Sequence, residues 1–110
     1  MMSMKVIEYL SRDETNPYAD WFNSLDAQAA AKVTTALTRM EQGNLSNVKS
    51  IGGGLFENRL NFGAGYRIYL GKDGDTIIIL LGGGTKRRQQ KDINAARVGW
   101  QDYKQRKKER

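Results

Sequence analysis

Two groups of cations in this chain sit where they could act on phosphate. Arg67 lies inside the alternating stretch Gly63 to Leu70, GAGYRIYL, and Lys86-Arg87-Arg88 with Lys91 follows three consecutive glycines, Gly82-Gly83-Gly84. Guanidinium and ammonium groups bind phosphate oxygens and stabilise the charge that builds on a phosphorane. Breaking an RNA backbone by 2′-hydroxyl attack also needs a group to take the 2′ proton and one to protonate the 5′ oxygen. The chain has no histidine and no cysteine, which excludes a histidine acid–base pair, a thiol nucleophile, a Cys/His zinc site and a disulfide scaffold. A lysine ordinarily holds its proton too tightly to act as a base at neutral pH. Like charges crowded against it weaken that hold, so a lysine beside Arg87 and Arg88 is a candidate base. Arg67, set on a strand, suits transition-state stabilisation.

Strand parity supports the grouping. If Phe62 pairs with Tyr66 across Gly63-Ala64-Gly65, Asn61 lies opposite Arg67 and Arg59 opposite Tyr69, all on one sheet face. That reading makes Arg67, Lys86 and Arg87 the catalytic candidates, and Arg59, Tyr69, Arg88 and Lys91 the RNA-binding ones, with Tyr69 free to stack on a base. Taken singly, the strand residues read as ordinary solvent-facing positions. The glycine run lacks the spacing of a Walker loop or a dinucleotide fingerprint, so no nucleotide cofactor is expected.

The charge distribution points the same way. The net charge is +6 over 110 residues, but residues 86–110 hold ten basic and three acidic side chains, and the first 85 hold eight and nine. The whole positive excess lies in the last quarter, a footprint that attracts polyanions. On charge alone, a solvated helix with a frayed basic tail at about 104–110 explains it equally well. No apolar run resembles a signal peptide or a membrane span, so a cytoplasmic location away from membranes is expected.

Certain elements must position these groups. Residues 4–10 alternate as a strand. Asn16-Pro17 starts a short helix with Tyr18, Trp21, Phe22 and Leu25 on one face, and Asp26 caps a second whose stripe is Ala30, Val33, Leu37 and Met40, ended by Gly43-Asn44. Residues 44–54 read as loop. Three strands follow: one from Leu55, one around Arg67, and the apolar run Thr76 to Leu81, with Lys72-Asp73-Gly74-Asp75 as a type I′ hairpin turn. A last helix begins between Thr85 and Gln90 and docks Ile93, Ala96, Trp100 and Tyr103. Trp21, Phe22, Phe56 and Trp100 are core by spacing. The expected architecture is α+β in the order β-α-α-β-β-β-α. It forms one domain over 1–110, a small, mainly antiparallel sheet with a helical hairpin on one face and a C-terminal helix.

That order, together with GAGYRIYL, the Asp-Gly-Asp turn, IIILL and GGGTKRRQQKDINAA, resembles the RelE/ParE superfamily of toxins, in particular its HigB-like, phage-derived addiction-module-killer branch. The resemblance spans nearly the whole chain and is sharpest from Gly63 to Ala96. It implies a type II toxin that cleaves messenger RNA on the ribosome without a cofactor or metal and is neutralised by a cognate antitoxin, commonly of helix-turn-helix type. Arg67 matches the family's arginine after the glycine turn, and Lys86 and Arg87 match its basic pair after the last strand. Some members carry a tyrosine early in the final segment, where this chain reads QQKDINAA, and others use histidines, so the general acid is left unassigned. Two other readings stay open: a ParE-like inhibitor of DNA gyrase that does not cleave, and a non-catalytic RNA-binding module. The exposed basic face implies a monomer when free.

Overall fold

A computed structural model describes residues 3–110 of the chain. It has β1 (Lys5–Glu8), α1 (Pro17–Asn23), α2 (Ala27–Glu41), β2 (Val48–Gly52), β3 (Leu55–Arg59), β4 (Tyr66–Asp73), β5 (Ile77–Thr85), a 3-10 turn (Lys86–Arg88) and α3 (Gln89–Lys108). The five strands form one sheet in the order β1-β5-β4-β3-β2, antiparallel except for the β1–β5 pair.

The expected α+β layout holds, with one strand more. Residues 44–54, read as loop, contain β2, an edge strand with a bulge between Ser50 and Gly52. Only Val48 and Ile51 in it are partly buried, too short an alternation to stand out among Ser, Asn and Gly.

The first two helices start where a side chain can satisfy a free amide. The Asn16 carbonyl accepts from Ala19 N at 2.9 Å with Pro17 at the first helical position, and Asp26 accepts from Ala29 N at 2.8 Å. The buried stripe of α2 is Ala29, Val33, Ala36 and Met40. Ala30 and Leu37 sit at its margin, a rotation of less than one residue from the periodicity reading.

Period-two alternation divides the core into two layers. Ile68 and Leu70 of β4 and Ile78 and Leu80 of β5 meet Tyr18, Val33 and Met40 beneath α1 and α2. Tyr69, Ile79 and Leu81 face the other way and meet Tyr9, Leu55, Ala96 and Trp100 beneath α3. Two glycines let the helices come close. A Cβ at Gly83 would lie 2.3 Å from the Trp21 ring and one at Gly71 only 2.4 Å from that of Trp100, so each indole packs directly on backbone. Trp100 Nε1 also donates to Gly53 O at 2.9 Å, which ties α3 to the β2–β3 turn.

Two turns differ from expectation. The β4–β5 connection is three residues long, since Asp73 pairs with Ile77, and only Gly74 in it has positive φ. A type I′ turn needs positive φ at Asp73 as well. Here Asp73 stays on the strand, where Tyr103 Oη donates to it at 2.6 Å and Lys107 Nζ at 2.5 Å. In the β3–β4 connection the ladder closes at Arg59 opposite Arg67, so Glu57, not Arg59, lies opposite Tyr69. The two-residue shift preserves the face of every side chain and leaves Phe62 outside the ladder, its ring stacked on Tyr66 at 6.1 Å.

The tail does not fray at 104, because α3 runs to Lys108. Its last turns are held by side chains from elsewhere in the chain. Tyr9 Oη donates to Asp102 at 2.5 Å, Arg12 reaches Asp102 and Glu109, and Arg106 donates to Leu10 O. Hydrogen bonds hold both anchoring carboxyls below their ordinary value, Asp73 through Lys107 and then Tyr103, Asp102 chiefly through Tyr9. Carboxylates with depressed folded-state pKa stabilise the fold above their unfolded value of 3.8. That contribution is lost as pH falls through the lower folded values. Thermal melts down a pH series should therefore show stability falling below about pH 3.8 in the native chain. An Asp73→Asn/Asp102→Asn variant should be weaker at neutral pH and show a flatter acid limb.

Candidate nucleic-acid and phosphate site

The sheet face that carries Arg67 is not open. Arg67 and Tyr69 do point away from α1 and α2, but α3 and the 3-10 turn cover them. Tyr69 is fully buried and Arg67 is 6% exposed. Tyr69 cannot stack on a base, which corrects its assignment. Burial pushes its hydroxyl up to about 12, with Glu57 and Asp92 adding to the effect, and the Oη has no hydrogen-bond partner among the described residues.

At the centre of this layer is Glu57, 1% exposed. Its Oε2 accepts from Arg67 Nε at 3.2 Å and Arg59 Nε at 3.3 Å, and its Oε1 accepts from Gln89 Nε2 at 3.3 Å. Arg67 Nη1 donates to Gly65 O at 3.0 Å. No hydrogen bond within the described residues uses Arg67 Nη2. Arg67 is thus a paired, nearly enclosed guanidinium with one nitrogen uncommitted.

The pairing does not take Arg67 away from the cations after the glycine run. Arg67 lies opposite Gly84 on the neighbouring strand. A side chain at Gly65 would meet Lys86 Cβ at 3.3 Å and Arg67 Nη1 at 3.7 Å. Lys86 N donates to Ala64 O at 3.4 Å, which brings the start of the 3-10 turn against the β3–β4 connection. Lys86, Arg87, Arg88 and Lys91 are exposed, and among the described residues none of them forms an ion pair. The structure therefore groups Arg67, Arg59 and Lys86 around Glu57 and Gly65, and leaves Arg87, Arg88 and Lys91 displayed at the adjoining start of α3.

Four other cations of α3 have structural work. Arg97 donates to Gly52 O and Ile51 O, Lys104 to Gly53 O at the edge of hydrogen-bond range, and Arg106 and Lys107 pair with Asp102 and Asp73.

Sequence reasoning passed over two acidic residues here. Glu57 alternates with Arg59 along β3, and nothing in its spacing marks it as buried. Asp92 sits one helical turn beyond Arg88. Its Oδ2 is enclosed without a partner and lies against the Gly84 backbone, where a Cβ would overlap it. Burial pushes its carboxyl up, against the opposing pull of Arg88 and Lys91. With Arg88, Thr85, Tyr66, Trp21 and Gly84 it lines a cleft of about 240 Å³ at the end of β5. A carboxyl of raised pKa beside cations is a proton-transfer candidate.

Residues 20–104 match the sequence profile of the family described as "Phage derived protein Gp49-like (DUF891)", a span that includes every residue of this site. The chain is also similar to a Haemophilus influenzae (strain ATCC 51907 / DSM 11121 / KW20 / Rd) protein that carries the name "Uncharacterized protein". The two are 38% identical over 85 residues, covering 76% of this chain and 86% of that relative.

Removing one partner of a buried pair strands the other charge, at a cost of about 3–5 kcal/mol. Urea unfolding of Arg67→Ala should show a loss of about that size. The apolar double replacement Glu57→Leu/Arg67→Met should lose much less than the sum of its single variants.

Proposed function

Because the chain belongs to the Gp49-like phage-derived protein family, which is associated with toxin–antitoxin modules, we propose that it is the toxin of a type II pair and an endoribonuclease that cuts messenger RNA on the ribosome. The observation that carries the reading is that Arg67 Nη1 and Lys86 Cβ both lie against Gly65, with Arg87 and Arg88, which form no ion pair among the described residues, following Lys86 in the chain.

In this mechanism Lys86 takes the 2′ proton. The 2′ oxygen attacks phosphorus, Arg67 Nη2 and Arg87 hold the phosphorane oxygens, and the 5′ oxygen leaves with a proton from Asp92. The products are a 2′,3′-cyclic phosphate and a 5′ hydroxyl. Arg59, Arg88 and Lys91 bind flanking phosphates. Glu57 orients Arg67 and Arg59 and touches no substrate. A cognate antitoxin, of helix-turn-helix type by the resemblance noted above, blocks this surface.

The enclosure of Arg67 by Glu57 favours a second reading, in which the chain binds its target and cuts nothing, as a gyrase inhibitor would. Programmed ribosomes incubated with the protein in EDTA, with message ends mapped for a cyclic phosphate, separate the two. Cleavage is expected, with Lys86→Ala, Arg87→Ala and Asp92→Asn each slower by on the order of a hundredfold and Lys107→Ala little changed. Absence of cleavage, with DNA synthesis halted and protein synthesis intact after induction, would establish the binding reading instead. Equal rates for Lys86→Ala and Lys107→Ala would overturn the assignment of the base.

A further inference from the structure

A second polar cleft, of about 320 Å³, lies on the other side of the sheet edge, between α2 and the β3–β4 connection. Its lining includes Lys32 and Arg39 from α2, Arg59, and the amides of Asn47, Asn58 and Asn61. No carboxylate lines it. Lys32 and Arg39 are seven residues apart and so share a helix face, and both are exposed. Neither forms an ion pair among the described residues.

Asn58 is the informative residue. It is 4% exposed, and its side chain takes part in no hydrogen bond among the described residues, although it lines the cleft. Its amide reaches the open space of the cleft rather than the core, and so is free to pair with a polar ligand that enters. Phe62, stacked on Tyr66 with Lys32 Nζ 5.5 Å above its ring, closes one side.

We propose that this cleft holds one nucleotide of a single-stranded nucleic acid, its phosphate on Lys32, Arg39 and Arg59 and its base edge on the asparagine amides. The carboxylate side chains of the alternative anion, an acidic peptide, offer only acceptors to an asparagine. A base edge offers donors and acceptors side by side, which an amide matches with both its ends. The edge must be unpaired to be reached, which selects single strands. Apart from Arg59, the lining residues are not those of the Arg67 site, so the cleft would lengthen the bound strand whether or not that strand is cut.

The test measures binding alone. A fluorescein-labelled 2′-O-methyl oligoribonucleotide, which cannot undergo 2′-hydroxyl attack, and a DNA strand of the same sequence are titrated with the full chain across a salt series. Binding by either strand supports the site, and the comparison shows whether the sugar is discriminated. Lys32→Ala/Arg39→Ala should weaken binding at least tenfold and reduce the salt slope by up to about 0.7, the share of one phosphate contact. Lys108→Ala/Arg110→Ala, which removes the same charge elsewhere, should change affinity less than threefold. Asn58→Asp, near in size to the native residue, should weaken binding with the thermal midpoint used to check folding. Equal affinity for the two double variants would overturn the proposal. So would competition by polyglutamate as effective as by unlabelled strand, or equal binding of a duplex, since either would mean a site that reads charge only.

Discussion

The layer beneath α3 depends on one buried carboxylate. Enclosing Glu57 is costly unless cations and donors replace its water, and Arg67, Arg59 and Gln89 do so from three different elements, β4, β3 and α3. The requirement is mutual, since Arg67 is itself almost enclosed. Strand register, the seating of the first turn of α3 and the place of the cations that follow Gly84 are therefore linked through a single group. Its consequence for chemistry is orientation. Nε and Nη1 of Arg67 are committed to Glu57 and Gly65, so the direction of the third nitrogen is fixed by the other two.

The positive charge of the last quarter divides by use. Along α3, Arg97, Lys104, Arg106 and Lys107 reach backbone carbonyls or aspartates and fasten the helix from end to end. The cations that remain exposed and unpaired near the strand end lie in the 3-10 turn and the first turn of α3. A local cluster of unscreened cations concentrates anions more sharply than the same charges spread along a helix. Both clefts, one at Asp92 and one at Asn58, open beside the ends of β3, β4 and β5, where this cluster and Arg59 sit.

Most of the architecture was legible because it follows from local rules. Asn16-Pro17 and Asp26 announce helix starts, alternation assigned the faces of β3 and β4, and the continuous run Thr76 to Leu81 marked a strand covered on both sides. Even the mistaken pairing of Phe62 with Tyr66 kept every side chain on its proper face, since the error was two residues and the side-chain period is two. The short edge strand β2 escaped because its partner, not its composition, makes it a strand. The tail from 104 has a composition that suggests fraying, and its anchors, Tyr9, Arg12 and Asp73, are far away in sequence.

The sequence by itself determined which residue types are present, which chemistry their absence removes and which side of the sheet each strand residue faces. Only the tertiary structure decided exposure. Facing away from α1 and α2 looked like facing water, but α3 returns over that face and turns Tyr69 into core and Arg67 into half of an ion pair. Glu57 and Asp92 became notable for the same reason. Burial depends on what a distant segment covers, and no local pattern records it.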